Sequence, residues 1–162
     1  MKAGHRLIVF FIPPEKIVNG GILSIFSIAK VSREFREIHN AEVILATYPG
    51  TKSYGKNNLF ENKEIIYSFD EIVARGVPSS LMLHVPEYAS LDVYRALQKY
   101  KDYLDKIPDL CVNIMNQNIL LMQRPVEVAN WFLLTPNLTQ TTAHNKYSRQ
   151  ELADNYFLPT HH

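Results

Sequence analysis

Four short polar groups stand where apolar, strand-like runs give way to loops, and their residue types are ones that hold ligands. They are Asn19-Gly20-Gly21, His84 with Glu87, Asn116-Gln117-Asn118, and His144-Asn145. Glycines let the backbone approach a ligand closely, and the free N–H groups of a helix that follows them favour an anion such as phosphate. Amide side chains both donate and accept, and a histidine can bond a sugar hydroxyl, a phosphate or an acid partner. Each group also has an ordinary structural reading. The glycine pair serves equally as a turn or a helix start, His84 as a partner for its own loop backbone, and the three amides as a turn or a helix cap.

Motifs with fixed catalytic spacing are missing from the sequence. There is no Gly-x-Ser-x-Gly elbow, no Walker Gly-Lys-Ser/Thr, no His-Glu-x-x-His and no paired-cysteine metal spacing. The single cysteine, Cys111, lies inside the apolar run Leu110 to Met115 and reads as a small, inert core residue, although His84 and His144 are conceivable bases. No acid/base pair is fixed by spacing, so no catalytic residue is assigned. The closing His161-His162 makes no metal site, because adjacent histidines point in different directions.

The elements that must position these groups follow from periodicity. The apolar run Leu7 to Ile12 predicts a strand, followed by Pro13-Pro14 and the glycine pair. Ile25, Ile28, Val31, Phe35 and Ile38 then recur at helical spacing. Ala41 to Thr47 is a second strand ended by the Tyr48-Pro49-Gly50 turn, and strand, helix, strand makes a βαβ unit. Thr51 to Asn62 reads as an exposed loop whose Lys52 and Lys56 could touch an anion. Glu64 to Phe69 and Ser80 to Val85 are the third and fourth strands. A helix from Ser90 carries Leu91, Tyr94, Leu97, Tyr100, Leu104 and Ile107 up to Pro108. Leu110 to Met115 is the fifth strand, and Pro125 to Trp131 a short helix. Thr139 to Ala143 is a sixth strand, and the capping box Ser148 to Glu151 opens a last helix closed by Pro159. This alternation predicts one α/β domain over residues 1–162, a mainly parallel open sheet wrapped by helices. In such a sheet ligands sit beyond the carboxyl ends of the strands, where the four polar groups fall.

Composition narrows the function classes. At 162 residues and 46% hydrophobic content the chain suits one well-buried core, and a formal charge of +1 with interspersed signs gives no nucleic-acid footprint. One cysteine excludes a disulfide framework within the chain and suits a reducing compartment. Six apolar residues before two prolines are too few for a membrane span.

The order of these motifs resembles the N-terminal domain of GT-B glycosyltransferases, in particular bacterial retaining enzymes of surface-polysaccharide synthesis. The supporting residues are Asn19-Gly20-Gly21-Ile22, Leu83-His84-Val85-Pro86, Val112-Asn-Ile-Met-Asn-Gln-Asn118, and Thr141-Thr-Ala-His144 leading into Tyr147-Ser148. The resemblance implies a Rossmann-like, doubly wound half that binds the acceptor and extends its glycine loop to the phosphates of a nucleotide-sugar donor. It places His144 near the donor sugar and His84, Asn116 and Gln117 on the acceptor side. The partners it implies are a C-terminal domain or partner chain and a glycan or lipid-linked acceptor. It also implies a cytoplasmic location, compatible with peripheral association at the inner face of the plasma membrane. The family's C-terminal domain, with its donor pocket and paired-glutamate motif, does not occur in these 162 residues. The expectation is therefore a truncated enzyme or half of a split one. The alternatives are a non-catalytic nucleotide- or sugar-binding α/β module and an interaction scaffold without a ligand.

Overall fold

β-Branched and aromatic residues in an unbroken apolar run favour a strand covered on both faces, and strand β1 (Arg6–Ile12) is the centre of the molecule. The computed structural model describes residues 5–12, 20–51, 55–56, 65–86, 89–116 and 138–142. Leu7, Val9 and Phe11 feed one buried cluster, and Ile8, Phe10 and Ile12 feed another on the opposite face.

Helix α1 (Gly20–Glu34) starts at the glycine pair and lays Ile25, Phe26, Ile28 and Ala29 on the sheet. The expected apolar stripe does not continue to Ile38, which is 57% exposed. The helix closes when the Phe35 N–H bonds the Ser32 carbonyl at 3.1 Å, and a separate turn of helix, α2 (Arg36–His39), restarts on a new phase. Rephasing buries His39 instead, and Asn40 ends α2 at φ 50°, a left-handed conformation that asparagine tolerates. Strand β2 (Glu42–Thr47) follows and pairs in parallel with β1. A turn then forms as expected: Thr51 N–H bonds the Tyr48 carbonyl at 3.0 Å, with Gly50 at φ 83° where a type II turn needs glycine.

Two residues of the expected loop, β3 (Gly55–Lys56), pair antiparallel with β4 (Ile65–Tyr67). The third strand was expected to run through Phe69, yet Ser68 ends it by capping helix α3 (Phe69–Ala74). Its hydroxyl accepts from the Glu71 N–H at 3.1 Å while the Glu71 carboxylate accepts from the Ser68 N–H at 3.3 Å, a reciprocal capping box. Strand β5 (Ser80–Pro86) leads to α4 (Ser90–Leu97), a 3₁₀ turn (Gln98–Tyr100) and α5 (Lys101–Asp105), so the single helix expected from Ser90 is interrupted. Val93, Leu97, Leu104 and Ile107 form its buried side. Tyr100 stays half-buried, its ring edge-on to Phe69 and its hydroxyl donating to the Asp70 carboxylate. Burial first, and the neighbouring carboxylate second, push that phenol up to about 12. Strands β6 (Asp109–Asn116) and β7 (Leu138–Thr142) complete the described elements. The helices expected from Pro125 and Ser148 lie outside the described residues.

The sheet order is β3-β4-β2-β1-β5-β6-β7, with β3 antiparallel and the other neighbours parallel. Counting only the parallel strands in chain order gives 3-2-1-4-5-6, the doubly wound Rossmann-like order. Right-handed crossovers that run across the sheet in opposite directions, β1 to β2 and β4 to β5, must lie on opposite faces. Accordingly α1 covers one face, while α3, α4 and α5 cover the other. The α/β, mainly parallel architecture read from the sequence is thus present.

Because Ser68 both caps α3 and ends β4, Ser68→Ala is expected to lower stability by about 1 kcal/mol. Urea denaturation measures this, and an unchanged midpoint would remove the capping box from the account.

Candidate functional site

An open parallel sheet makes a crevice where neighbouring strands send their connections to opposite faces. Here that place lies between β1 and β5. After β1 the chain goes to α1 on one face, and after β5 to α4 on the other. Gly20 and Gly21 are the first two residues of α1, so the predicted glycine pair forms the start of a helix of 15 residues. The first turn of α1 holds no acidic residue, whereas α3 has Asp70 and Glu71 there and α4 has Asp92. The positive end of the α1 dipole therefore has no carboxylate from its own first turn beside it.

His84 stands on β5, two residues before its end, rather than in the loop that follows. It is fully buried, and register places it opposite Phe10 on β1 and Asn113 on β6. The imidazole stacks on the Phe10 ring with centroids 4.2 Å apart and planes 9° from parallel. Asn113 Nδ2 lies 3.0 Å from His84 Nδ1, and an amide nitrogen can only donate, so Nδ1 accepts and the neutral ring carries its proton on Nε2. Burial pushes the His84 pKa down to about 3. Across the reversal point the sheet thus carries a neutral, oriented imidazole, fixed by one aromatic face and one amide.

Asn113 was not singled out by sequence reasoning, which weighed the amides that follow it. Its signal was an amide inside an otherwise apolar strand, on the same side of β6 as Cys111 and Met115. Asn116 is the last residue of β6, one residue past the expected strand end at Met115. Cys111 is buried, stands opposite Met82 two pairs before the His84–Asn113 pair, and its thiol lies 3.6 Å from an Asp109 carboxylate oxygen, in keeping with an inert core thiol. Asn19, Glu87, Gln117, His144 and Asn145 lie outside the described residues. The structure thus places His84 and Asn116 in the carboxyl halves of neighbouring strands, and Gly20 and Gly21 at the start of the helix that follows β1. Among the described residues no group of three or more His, Cys, Asp or Glu could hold a metal ion. Among them, too, no helix is long and apolar enough to cross a membrane.

A buried neutral histidine makes stability depend on pH. The unfolded chain takes up a proton on His84 below its ordinary value of 6.5 and the folded chain does not until about 3. Its contribution is therefore complete above 6.5 and is lost as the pH falls, by about 1.4 kcal/mol per unit across that window. At pH 5, unfolding of His84→Gln is expected to take up about one proton fewer than unfolding of the parent chain. Urea melts across pH 4.5 to 6.5 supply that number, and equal slopes for the two proteins would contradict the burial of a neutral ring.

No protein-family model, no curated protein and no solved structure matches this chain, so its functional reading rests on the geometry of this crevice.

Proposed function

We propose that this chain is a ligand-binding α/β domain whose crevice between β1 and β5 takes a phosphate-bearing small molecule. The observation that carries the reading is the reversal of strand order at that point. It sets the start of α1, with its glycine pair, beside strands that carry the oriented His84–Asn113 pair. Backbone N–H groups and a helix dipole suit a diphosphate, and amides at the strand ends suit the hydroxyls of a sugar.

The finer form of the proposal is the acceptor-side half of a GT-B glycosyltransferase, acting with a donor-binding domain or partner chain on a nucleotide-sugar and a glycan or lipid-linked acceptor. The doubly wound sheet and the helix start after β1 support it. In such an enzyme this half would act by orientation and by stabilising the leaving diphosphate, with Gly20 and Gly21 at the phosphates and Asn116 and His84 toward the acceptor. His144, Gln117, Asn19, Glu87 and Asn145 complete the proposed lining on the strength of the sequence resemblance.

Gly21→Asp separates binding from folding. A carboxylate in the first turn complements the helix dipole by about 0.3 to 1 kcal/mol, so the melting temperature is expected to hold or rise. The same charge repels a phosphate, and affinity for whichever nucleotide or nucleotide-sugar binds the parent chain is expected to fall at least tenfold by isothermal titration. If the parent binds none of a panel of nucleotides and nucleotide-sugars, or if Gly21→Asp binds as tightly, the phosphate crevice is wrong.

A further inference from the structure

Helix α2, just past the far end of α1, carries a second buried histidine with both ring nitrogens committed to backbone. His39 Nε2 donates to the Ser32 carbonyl at 2.7 Å, and its Nδ1 accepts from the Ala41 N–H at 3.0 Å. Ser32 belongs to α1 and Ala41 immediately precedes β2, so one ring joins the end of the helix to the start of the strand. Arg6 on β1 fastens the same corner by donating from Nη1 to the His39 carbonyl at 2.7 Å.

We infer that His39 is an acid-sensitive latch: the neutral ring closes the corner between α1, α2 and β2, and a second proton on that ring opens it. The reason is stereochemical. The second proton must go on Nδ1, where the Ala41 N–H already points, so an accepted hydrogen bond becomes two donors facing each other. His39 is only 2% exposed, so bulk water does not reach the ring to relieve the conflict.

The charges around the ring reinforce this. Arg6 reaches it from β1 and Arg36 from its own helix, and after burial, which acts first, both hold its pKa below 6.5, against the Ser32 bond, which raises it. Arg33 and Glu34 lie in the last turn of α1. On β2, Glu42 is engaged elsewhere, 3.0 Å from His5 Nε2 and 3.3 Å from Arg75 Nη1. Asp109 and Cys111 on β6 face His39 across a cavity of about 20 Å³. A depressed pKa means that the latch is fully closed above 6.5 and weakens as the pH falls. In the folded chain His84 takes up its proton only at about 3.

Hydrogen exchange at the Ala41 amide reads the latch, and a variant measured at the same pH removes the intrinsic pH dependence of exchange. His39→Asn keeps an acceptor for the Ala41 N–H and does not titrate. The ratio of Ala41 protection in the parent chain to that in His39→Asn is expected to fall by up to about tenfold between pH 7 and pH 5.5. A ratio that stays constant overturns the proposal. Proton NMR of the parent chain gives a second reading that needs no variant. His39 should titrate below 6.5 together with the Ala41 amide shift, and titration at or above 6.5, or an Ala41 amide that does not follow it, also overturns it.

Discussion

Burial of β1 on both faces is the constraint from which the rest of the molecule follows. Val9, Phe10 and Phe11 have no exposed surface, and each large apolar side chain so buried contributes about 1.5 to 3 kcal/mol. A strand with two apolar faces needs a neighbour on each edge and a helical layer above and below. Sequential parallel neighbours placed first on one edge and then on the other force the two crossovers onto opposite faces. That supplies the second layer and, as a geometric by-product, the crevice at the strand ends. The burial that stabilises the centre therefore also creates the place where a ligand can be held.

The two ends of the sheet are finished differently. The carboxyl end receives the starts of α1 on one face and of α3 and α4 on the other, with the polar His84 and Asn113 on β5 and β6. The amino end is closed by direct bonds: His5 and Arg75 on Glu42, Arg6 on the His39 carbonyl, Ser80 on Asp109. Both buried histidines are neutral for stated reasons. His84 is desolvated between an aromatic ring and an amide, and His39 has its lone pair and its proton committed to backbone. Each makes acid unfavourable, one at the sheet centre and one at a corner.

Much of this was legible in the residues because local and global preferences agree. The doubly apolar run 7–12 and the Pro49-Gly50 turn each admit one good solution and formed within a residue or two, and the glycine pair, open between a turn and a helix start, became the helix start. The errors have physical causes. Phe69 reads as the end of a β-prone run until Ser68 and Glu71 cap each other, and Ile38 fits the α1 stripe until the break at Phe35 rotates the next turn. Residues 90–107 keep helical spacing, yet the backbone tightens at Gln98–Tyr100, where Tyr100 docks on Phe69. His84 was marked as a polar strand end, but Asn113 was not, because its role exists only through register across β5 and β6. His39 was invisible for the same reason: its two partners lie seven residues back and two ahead, in a corner that periodicity does not describe.

The central claim is that β1 lies between β2 and β5 and that the strand order reverses there. Long-range backbone NOEs from an isotope-labelled sample test it most directly. The account predicts parallel cross-strand contacts from Phe10 to both Leu45 and His84, and from His84 onward to Asn113. Contacts that place β5 anywhere other than beside β1, or that pair the two antiparallel, would remove the crevice and the functional reading built on it.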